Sequence, residues 1–382
     1  MNRLILRFTL IVLLVIYVFR QTLFLYDFRD IMQFLVILLM GVSILLIIGI
    51  HARAVRKLFS YRKTALSFGS ILLFNLVFFD PFMFFVILFK VLFFISCSVL
   101  FFSQSGKKTF LMMADSITLS VVVIGILAQL GLIPTVVAYS AHWDKNSAGF
   151  NNANNAFYFL FTSFLVYFIF GSKSRMVGCL LIMFVFVSIN SFSRTYLVGA
   201  VYIALISIFM KYRLLRKIMR PVLLFLILLF WSVGSGFYLV ATFAPFILQP
   251  FVNSPLDILF SYRLSLSLED IFMPATNLVG FTFGSKDSIY NELIFIFGPV
   301  FWIILFLGIY RWWVASKQND NAFKIISVMS IISVTGLTES IFLTVTPITI
   351  ILISIAFLTP GKASNIFKIE SDRKFRRGIL HE

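Results

Sequence analysis

Charged side chains are scarce in this sequence of 382 residues. Only 12% of the residues are Asp, Glu, Lys or Arg, and 60% are hydrophobic, whereas soluble domains carry about 25% charged residues. So few charges could not cover the apolar surface of a soluble fold. Apolar runs of about 20 residues recur along the chain instead, and such runs are typical of transmembrane helices. We therefore predict a polytopic membrane protein.

Cysteine and histidine are also rare, which excludes several kinds of chemistry. The two cysteines, Cys97 and Cys179, lie inside apolar runs, so they predict neither a disulfide framework nor a metal motif. Walker motifs, metal-ligand clusters and nucleophile elbows are absent from the sequence. ATP-driven transport and the common soluble hydrolase mechanisms are therefore excluded, and no cofactor is predicted. Lipid-linked group transfer, passive or ion-coupled transport, and assembly roles remain.

Twelve apolar segments are predicted to be membrane spans, so the expected fold class is all-α. They cover residues 5–24, 31–50, 65–79, 82–102, 110–132, 154–171, 176–190, 196–210, 221–243, 292–310, 325–339 and 341–358. Helices are expected because lipid cannot satisfy backbone polar groups. Segments 176–190 and 196–210 are short, and a re-entrant pair is the alternative for them.

The basic residues are divided unequally between the two sides of these spans. The net charge is +17, but the cations occupy the gaps between spans, a pattern that argues against nucleic-acid binding. With the N-terminus inside, 25 of the 32 cations fall inside, six fall outside and Lys90 lies within a span. The positive-inside rule then places both termini in the cytoplasm. Residues 1–382 form one membrane domain with a large external loop at 244–291, where short helices are expected, and a basic cytoplasmic tail at 359–382.

The external cations are the first candidates for a functional site. Lys145 lies in a polar loop, Arg194 lies between two short spans, and Arg263 lies in the large external loop. Three cations that converge at the outer surface would bind a phosphate or diphosphate, and arginine does so through bidentate hydrogen bonds. Alternatively, each cation is an interfacial anchor or pairs with a nearby aspartate.

Amides and carboxylates outside the membrane are further candidates. The loop that contains Lys145 is rich in amides, among them Asn151, Asn154 and Asn155. A second polar segment lies at the end of the large loop. It contains the carboxylates of Asp287 and Glu292 and the hydroxyl of Tyr290. The alternative for Asp287 is a helix cap before the next span, and Glu292 has the same alternative. On the inner side, Asp115 is expected to pair with Lys108.

Four segments resemble motifs of one enzyme family, in order along most of residues 140–310. They are Lys145 to Asn155, Ser193-Arg194-Thr195, Tyr262-Arg263-Leu264 followed by Leu278-Val279-Gly280-Phe281, and Asp287-Ser288-Ile289-Tyr290 followed by Phe297-Gly298-Pro299. The chain resembles the Wzy-type polymerases of O-antigen, capsule and exopolysaccharide repeat units, which are relatives of the O-antigen ligases. Lys145 stands where that family usually has arginine, and Ala153 stands where it usually has proline.

This resemblance implies a metal-independent glycosyltransferase on the outer face of the cell membrane. Its donor would be an undecaprenyl-diphosphate-linked oligosaccharide, and its acceptor a sugar hydroxyl of another lipid-linked unit. Arg194 and Arg263 would stabilise the leaving diphosphate with help from Lys145, and Asp287 or Glu292 would orient or deprotonate the acceptor. The amide-rich loop and Tyr290 would bind the sugars, with loop 244–291 as a lid. A chain-length regulator and a flippase of the same pathway are the implied protein partners.

Three other functions remain open at this point. A ligase would move the finished glycan to a different acceptor, and sequence does not separate this activity from polymerisation. A flippase for lipid-linked oligosaccharide would need polar residues along many spans, whereas the polar residues here are concentrated outside. A non-catalytic scaffold would need none of the external arginines individually.

Overall fold

Twelve α-helices form in the part of the chain that the structure describes, and each overlaps one of the predicted apolar segments. The structure is a computed structural model that describes residues 2–59, 62–78, 81–102, 106–138, 145–152, 154–189, 191, 193–243, 245–247, 249–251, 254, 272–274, 281–283, 297, 299–335 and 345–357. The helices are α1 (Asn2–Phe19), α2 (Arg29–Phe59), α3 (Arg62–Phe78), α4 (Pro81–Ser98), α5 (Gly106–Gln129), α6 (Asn155–Ile169), α7 (Lys173–Ser188), α8 (Arg194–Phe209), α9 (Arg213–Phe243), α10 (Pro299–Ala315), α11 (Asp320–Thr335) and α12 (Pro347–Phe357). The predicted helix positions are confirmed, with shifts of several residues at the ends.

The exterior of the bundle is apolar, as in a protein that is embedded in a membrane. Large hydrophobic side chains are more than half exposed on the outer helices, for example Phe34 on α2, Phe184 on α7 and Phe225 on α9. Four stretches are long and apolar enough to cross a membrane, namely Asn2–Phe19, Arg29–Ala52, Gly106–Gln129 and Arg213–Gly236. An exposed apolar surface of this extent would cause aggregation in water, but it is expected where a protein contacts lipid.

Helix α6 lies at the centre of the bundle. All its residues after Asn155 are buried, and it contacts α5, α7, α8, α11 and α12. In lipid the hydrophobic effect does not drive helices together, so close van der Waals packing holds them in contact. Small residues therefore mark the places where two helices approach most closely. Gly199 of α8 is such a residue, because a Cβ there would lie 2.8 Å from the Phe161 ring of α6.

One end of the bundle, here called the basic end, gathers the N-termini of α1, α5, α7, α9 and α11. The contacts at this end are Arg7 with Thr109, Arg175 with Asp115, Arg216 with Asp320, and Arg220 with the carbonyl and ring of Trp313. Lys324 of α11 links the last two contacts to the first two, because its Nζ would lie 3.0 Å from a Cβ at Gly171, just before α7. Because these segments carry many of the cations predicted to be cytoplasmic, the charge segregation seen in the sequence also exists in space.

The expected pairing of Asp115 with Lys108 is wrong. The Asp115 carboxylate lies 2.9 Å from Nε of Arg175 and accepts a hydrogen bond of 3.0 Å from the Tyr167 hydroxyl. Lys108 precedes Asp115 by two helical turns, roughly 10 Å along the axis of α5. Arg175, in the first turn of α7, lies much closer to Asp115.

Two short antiparallel strand pairs interrupt the helices in the described residues. Strand β1 (Val137–Ala138) pairs with β2 (Lys145–Asn146), and β3 (Phe272–Pro274) pairs with β4 (Phe281–Phe283). Strands β3 and β4 belong to the loop at 244–291, where the sequence predicted short helices and the alternation of apolar and polar residues at 260–268 left a strand as the alternative. Two 3-10 turns, Pro245–Ile247 and Gln249–Phe251, precede them. The described part of this loop thus contains two short helices, as predicted, together with a strand pair at positions where no strand was predicted, and residues 260–268 lie outside the described residues.

Candidate functional site

The loop from β2 to α6 is built on a buried turn. Ala148 and Gly149 adopt positive φ angles of 47° and 88°, and the Phe150 side chain is fully buried. A Cβ at Gly149 would lie 3.1 Å from side-chain atoms of both Ala128 and Ile133. The turn thus packs against the C-terminal end of α5, which explains a glycine at this point of the sequence.

The same turn is attached to the end of α1. The backbone N–H of Leu23 donates to the Gly149 carbonyl at 3.0 Å, and that of Asn151 donates to the Gln21 carbonyl at 2.8 Å. A bridge between Thr22 and Phe150 lies between these bonds. The first span was predicted to continue to residue 24, but α1 ends at Phe19 because the following residues pair with this loop.

Four of the predicted substrate-binding residues come together beside this turn. Nζ of Lys145 donates to Oδ1 of Asn154 at 3.2 Å, and Nδ2 of Asn155 donates to Oδ1 of Asn151 at 2.8 Å. Asn151 is exposed, and the other three are half-buried. We call Lys145, Asn151, Asn154 and Asn155 the amide cluster. Its amides have further donors and acceptors available for sugar hydroxyls.

Asn154 has an unusual role for its position in the chain. It precedes the first residue of α6, where asparagine normally caps a helix with its side-chain oxygen. Here the described residues show no side-chain cap, and the Asn154 oxygen accepts its hydrogen bond from Lys145 instead. The N–H groups of the first turn of α6 therefore receive no hydrogen bond from the Asn154 side chain. Such N–H groups carry partial positive charge, which favours an anion nearby.

Arg194 lies at the start of α8 and is exposed. Ser193 precedes it, is 3% exposed and, within the described part of the chain, makes no side-chain cap. The nearby Ser191 hydroxyl is buried and has no hydrogen-bond partner among the described residues. Phosphate binds favourably beside a cation at a helix N-terminus whose N–H groups have no side-chain cap.

The first turns of α6 and α8 lie next to each other. Tyr158 and Tyr196 contact through rings 5.4 Å apart, and Phe161 contacts Tyr196 at 5.3 Å. The two helices are parallel, since later residues of each meet in the same order at Phe161 and Gly199. Lys145 and Arg194 are therefore held at the same end of the bundle, opposite the basic end.

The remaining predicted site residues cannot be placed. Arg263, Asp287, Tyr290 and Glu292 all lie outside the described residues, as does most of the loop proposed as a lid. Their roles stay predictions from the sequence.

Arg20 is a cation near the site that the sequence reasoning did not select. It directly follows α1 and precedes the Gln21 that bonds to Asn151. Its side chain is half-buried, and its Nε is shielded from solvent without a hydrogen-bond partner in the described structure. Arg20 is one of the six cations that the sequence places outside, and this could have selected it as a site residue. A cation at the end of a span, however, usually anchors the helix at the membrane interface.

Comparisons of the chain with protein-family models, with curated proteins and with solved structures found no match. The likeness to the repeat-unit polymerases therefore stays a prediction from sequence motifs.

Proposed function

We propose that this protein is a polysaccharide repeat-unit polymerase of the cell membrane. It would transfer glycan from an undecaprenyl-diphosphate donor to a sugar hydroxyl of a second lipid-linked unit. One observation carries the proposal: the amide cluster with Lys145 and the N-terminus of α8 with Arg194 lie at neighbouring helix ends. A site for this reaction must bind sugars and a diphosphate side by side.

The proposed topology has twelve spans, with both termini in the cytoplasm and the site facing outward. Support comes from the contacts that gather the cation-rich segments at one end, while the amide cluster lies at the other. The positive-inside rule assigns the basic end to the cytoplasm.

Three short helices would hold this site close to the lipid head groups. Helices α6, α7 and α8 have 15, 16 and 16 residues, which corresponds to about 22–24 Å. The hydrocarbon core of a bilayer is about 30 Å thick. Helices of this length keep the amide cluster and Arg194 near the depth of a diphosphate whose lipid tail remains in the membrane.

The chemistry would proceed by displacement at the anomeric carbon of the donor sugar. The acceptor hydroxyl oxygen forms a bond to this carbon, and the bond from the carbon to the diphosphate oxygen breaks. Asp287 or Glu292 would accept the hydroxyl proton, in keeping with general base catalysis. Arg194, Arg263 and Lys145 would stabilise the negative charge that develops on the leaving diphosphate.

Reconstitution with a lipid-linked repeat unit tests this proposal. Purified protein in nanodiscs should convert undecaprenyl-diphosphate-linked units into a ladder of longer glycans. Arg194→Ala should lower the rate by about 100-fold, as expected for loss of one charge-stabilising donor. Arg213→Ala is the matched control, because Arg213 is exposed and also starts a helix, at the basic end.

The products distinguish the alternatives. A ligase would transfer glycan once to a different acceptor and would form no ladder, and a flippase would move the lipid across the bilayer without forming a glycosidic bond. A ladder made by Arg194→Ala protein at the wild-type rate would contradict the proposed role of this residue.

A further inference from the structure

An apolar groove of about 190 Å³ lies between α7 and α8 on the outside of the bundle. Its lining side chains are all apolar and include Leu180, Met183 and Phe184 from α7 and Leu197, Val201 and Leu205 from α8. Several of them are largely exposed, with 67% for Phe184 and 53% for Val201. The groove is therefore open to the hydrocarbon of a surrounding membrane.

Arg194 lies on the same face of α8 as the groove. Leu197, Val201 and Leu205 follow Arg194 by three, seven and eleven residues, a spacing that keeps side chains on one face of a helix. Val187, which also lines the groove, lies one residue before the last residue of α7. Both helices thus bring this end of the groove to the end of the bundle where Arg194 is exposed.

We infer that this groove binds the hydrocarbon chain of a lipid whose phosphate or diphosphate lies at Arg194. The argument is one of charge complementarity: the apolar groove ends at a cation on a helix N-terminus that has no side-chain cap among the described residues, where phosphate is stabilised. From Leu197 to Ile208 the groove extends about 16 Å along α8, enough for the first part of a long chain. If the proposed function holds, this lipid is the undecaprenyl-diphosphate donor.

Two valines on α8 offer a matched test. Val201 lines the groove, whereas Val198 is 64% exposed on α8 and is not among the groove residues. Val201→Trp should fill the groove, and Val198→Trp adds the same bulk outside it. Binding of undecaprenyl diphosphate to protein in nanodiscs should weaken by about tenfold in Val201→Trp, which corresponds to roughly 1.4 kcal/mol. In Val198→Trp it should stay close to the wild-type value.

A second measurement uses the wild-type protein and does not depend on how well the variants fold. A diazirine-bearing undecaprenyl diphosphate should label peptides of α7 and α8. Unlabelled undecaprenyl diphosphate should compete with this labelling, and phosphatidylglycerol should not.

Three outcomes would overturn the inference: wild-type affinity in Val201→Trp, labelling confined to other helices, or equal competition by phosphatidylglycerol. The last would show that ordinary membrane lipid fills the groove. These failures are separable from failure of the proposed function. A glycan ladder without groove labelling would leave the polymerase proposal standing, and groove labelling without any ladder would leave only the lipid site.

Discussion

The rings of Tyr158 and Tyr196 lie 5.4 Å apart, with their planes inclined by 52°. Tyr158 follows the amide cluster by one helical turn, and Tyr196 follows Arg194 by two residues. Both rings are buried, at 6% and 2% exposure. This contact therefore fixes the spacing between the sugar-binding and phosphate-binding parts of the proposed site.

Tyr196→Ala should destabilise the protein and lower its activity together. Loss of a buried aromatic ring leaves a cavity and costs about 3 kcal/mol, the lower end of the range for aromatic residues in soluble cores. Thermal unfolding in detergent and the rate of ladder formation are the measurements. Tyr196→Phe retains the ring and should behave much more like wild type. Tyr212→Ala is the control, since Tyr212 is 57% exposed; an equal loss in that variant would contradict the specific role of the contact.

Lys145→Gln should lower activity with little effect on folding. The substitution removes a charge near the proposed diphosphate but leaves a side chain able to donate to Asn154, and a half-exposed hydrogen bond contributes only about 1 kcal/mol. Lys145→Arg keeps the charge and should retain most of the activity. Initial rates at saturating and limiting donor concentration provide the readout. The same change at exposed Lys211, near the basic end, should be neutral.

Gly199→Ala should separate the first turns of α6 and α8. The added Cβ would lie 2.8 Å from Cζ of Phe161, and this ring cannot move away easily because it is fully buried against Tyr196. We expect a lower unfolding temperature and a lower rate. Gly178→Ala on α7 is the control, because its Cβ would meet nothing within 4 Å. There the better helix propensity of alanine should stabilise by up to about 1 kcal/mol.

Gly149→Ala should disrupt the support of the amide cluster. A positive φ costs an alanine about 1–2 kcal/mol, and the new Cβ would also press on Ala128 and Ile133 of the α5 end. Gly131→Ala separates these two effects, since Gly131 has a φ of 72° but open space around it. A larger loss of activity in Gly149→Ala than in Gly131→Ala is the expected result, measured as ladder formation. Equal losses would show that packing of this turn is unimportant.

Helix positions were predictable from the sequence because long apolar runs and the basic residues between them are local signals. The ends were less predictable. The apolar pattern alone extended the first span to residue 24, whereas α1 ends at Phe19 and the residues after it pair with a distant loop, as in the bridge of Thr22 with Phe150. The partner of Asp115 was missed for the same reason, since it lies on another helix.

The candidate site was predictable in part. Side-chain chemistry selected Lys145 and the asparagines, and the structure brings them together through direct hydrogen bonds. Sequence could not show that the turn before them is buried, because Ser147 and Gly149 have polar or small side chains that are typical of exposed loops. It also could not show that the Arg20 Nε would be buried, which depends on packing around the end of α1.

The turn at Gly149 and the two asparagines after it differ in exposure and in what they contact. Residues 147–150 are buried and supply attachment to α1 and α5, while Asn151 and Asn152 are exposed. The Asn151 side chain can therefore be exchanged without loosening the buried turn, whereas Asn152 accepts a hydrogen bond from the backbone N–H of Asn154. If the proposed function holds, a lineage of such proteins would acquire a preference for a new sugar by replacing exposed residues of this segment, and the same short segment is the natural graft for redirecting one.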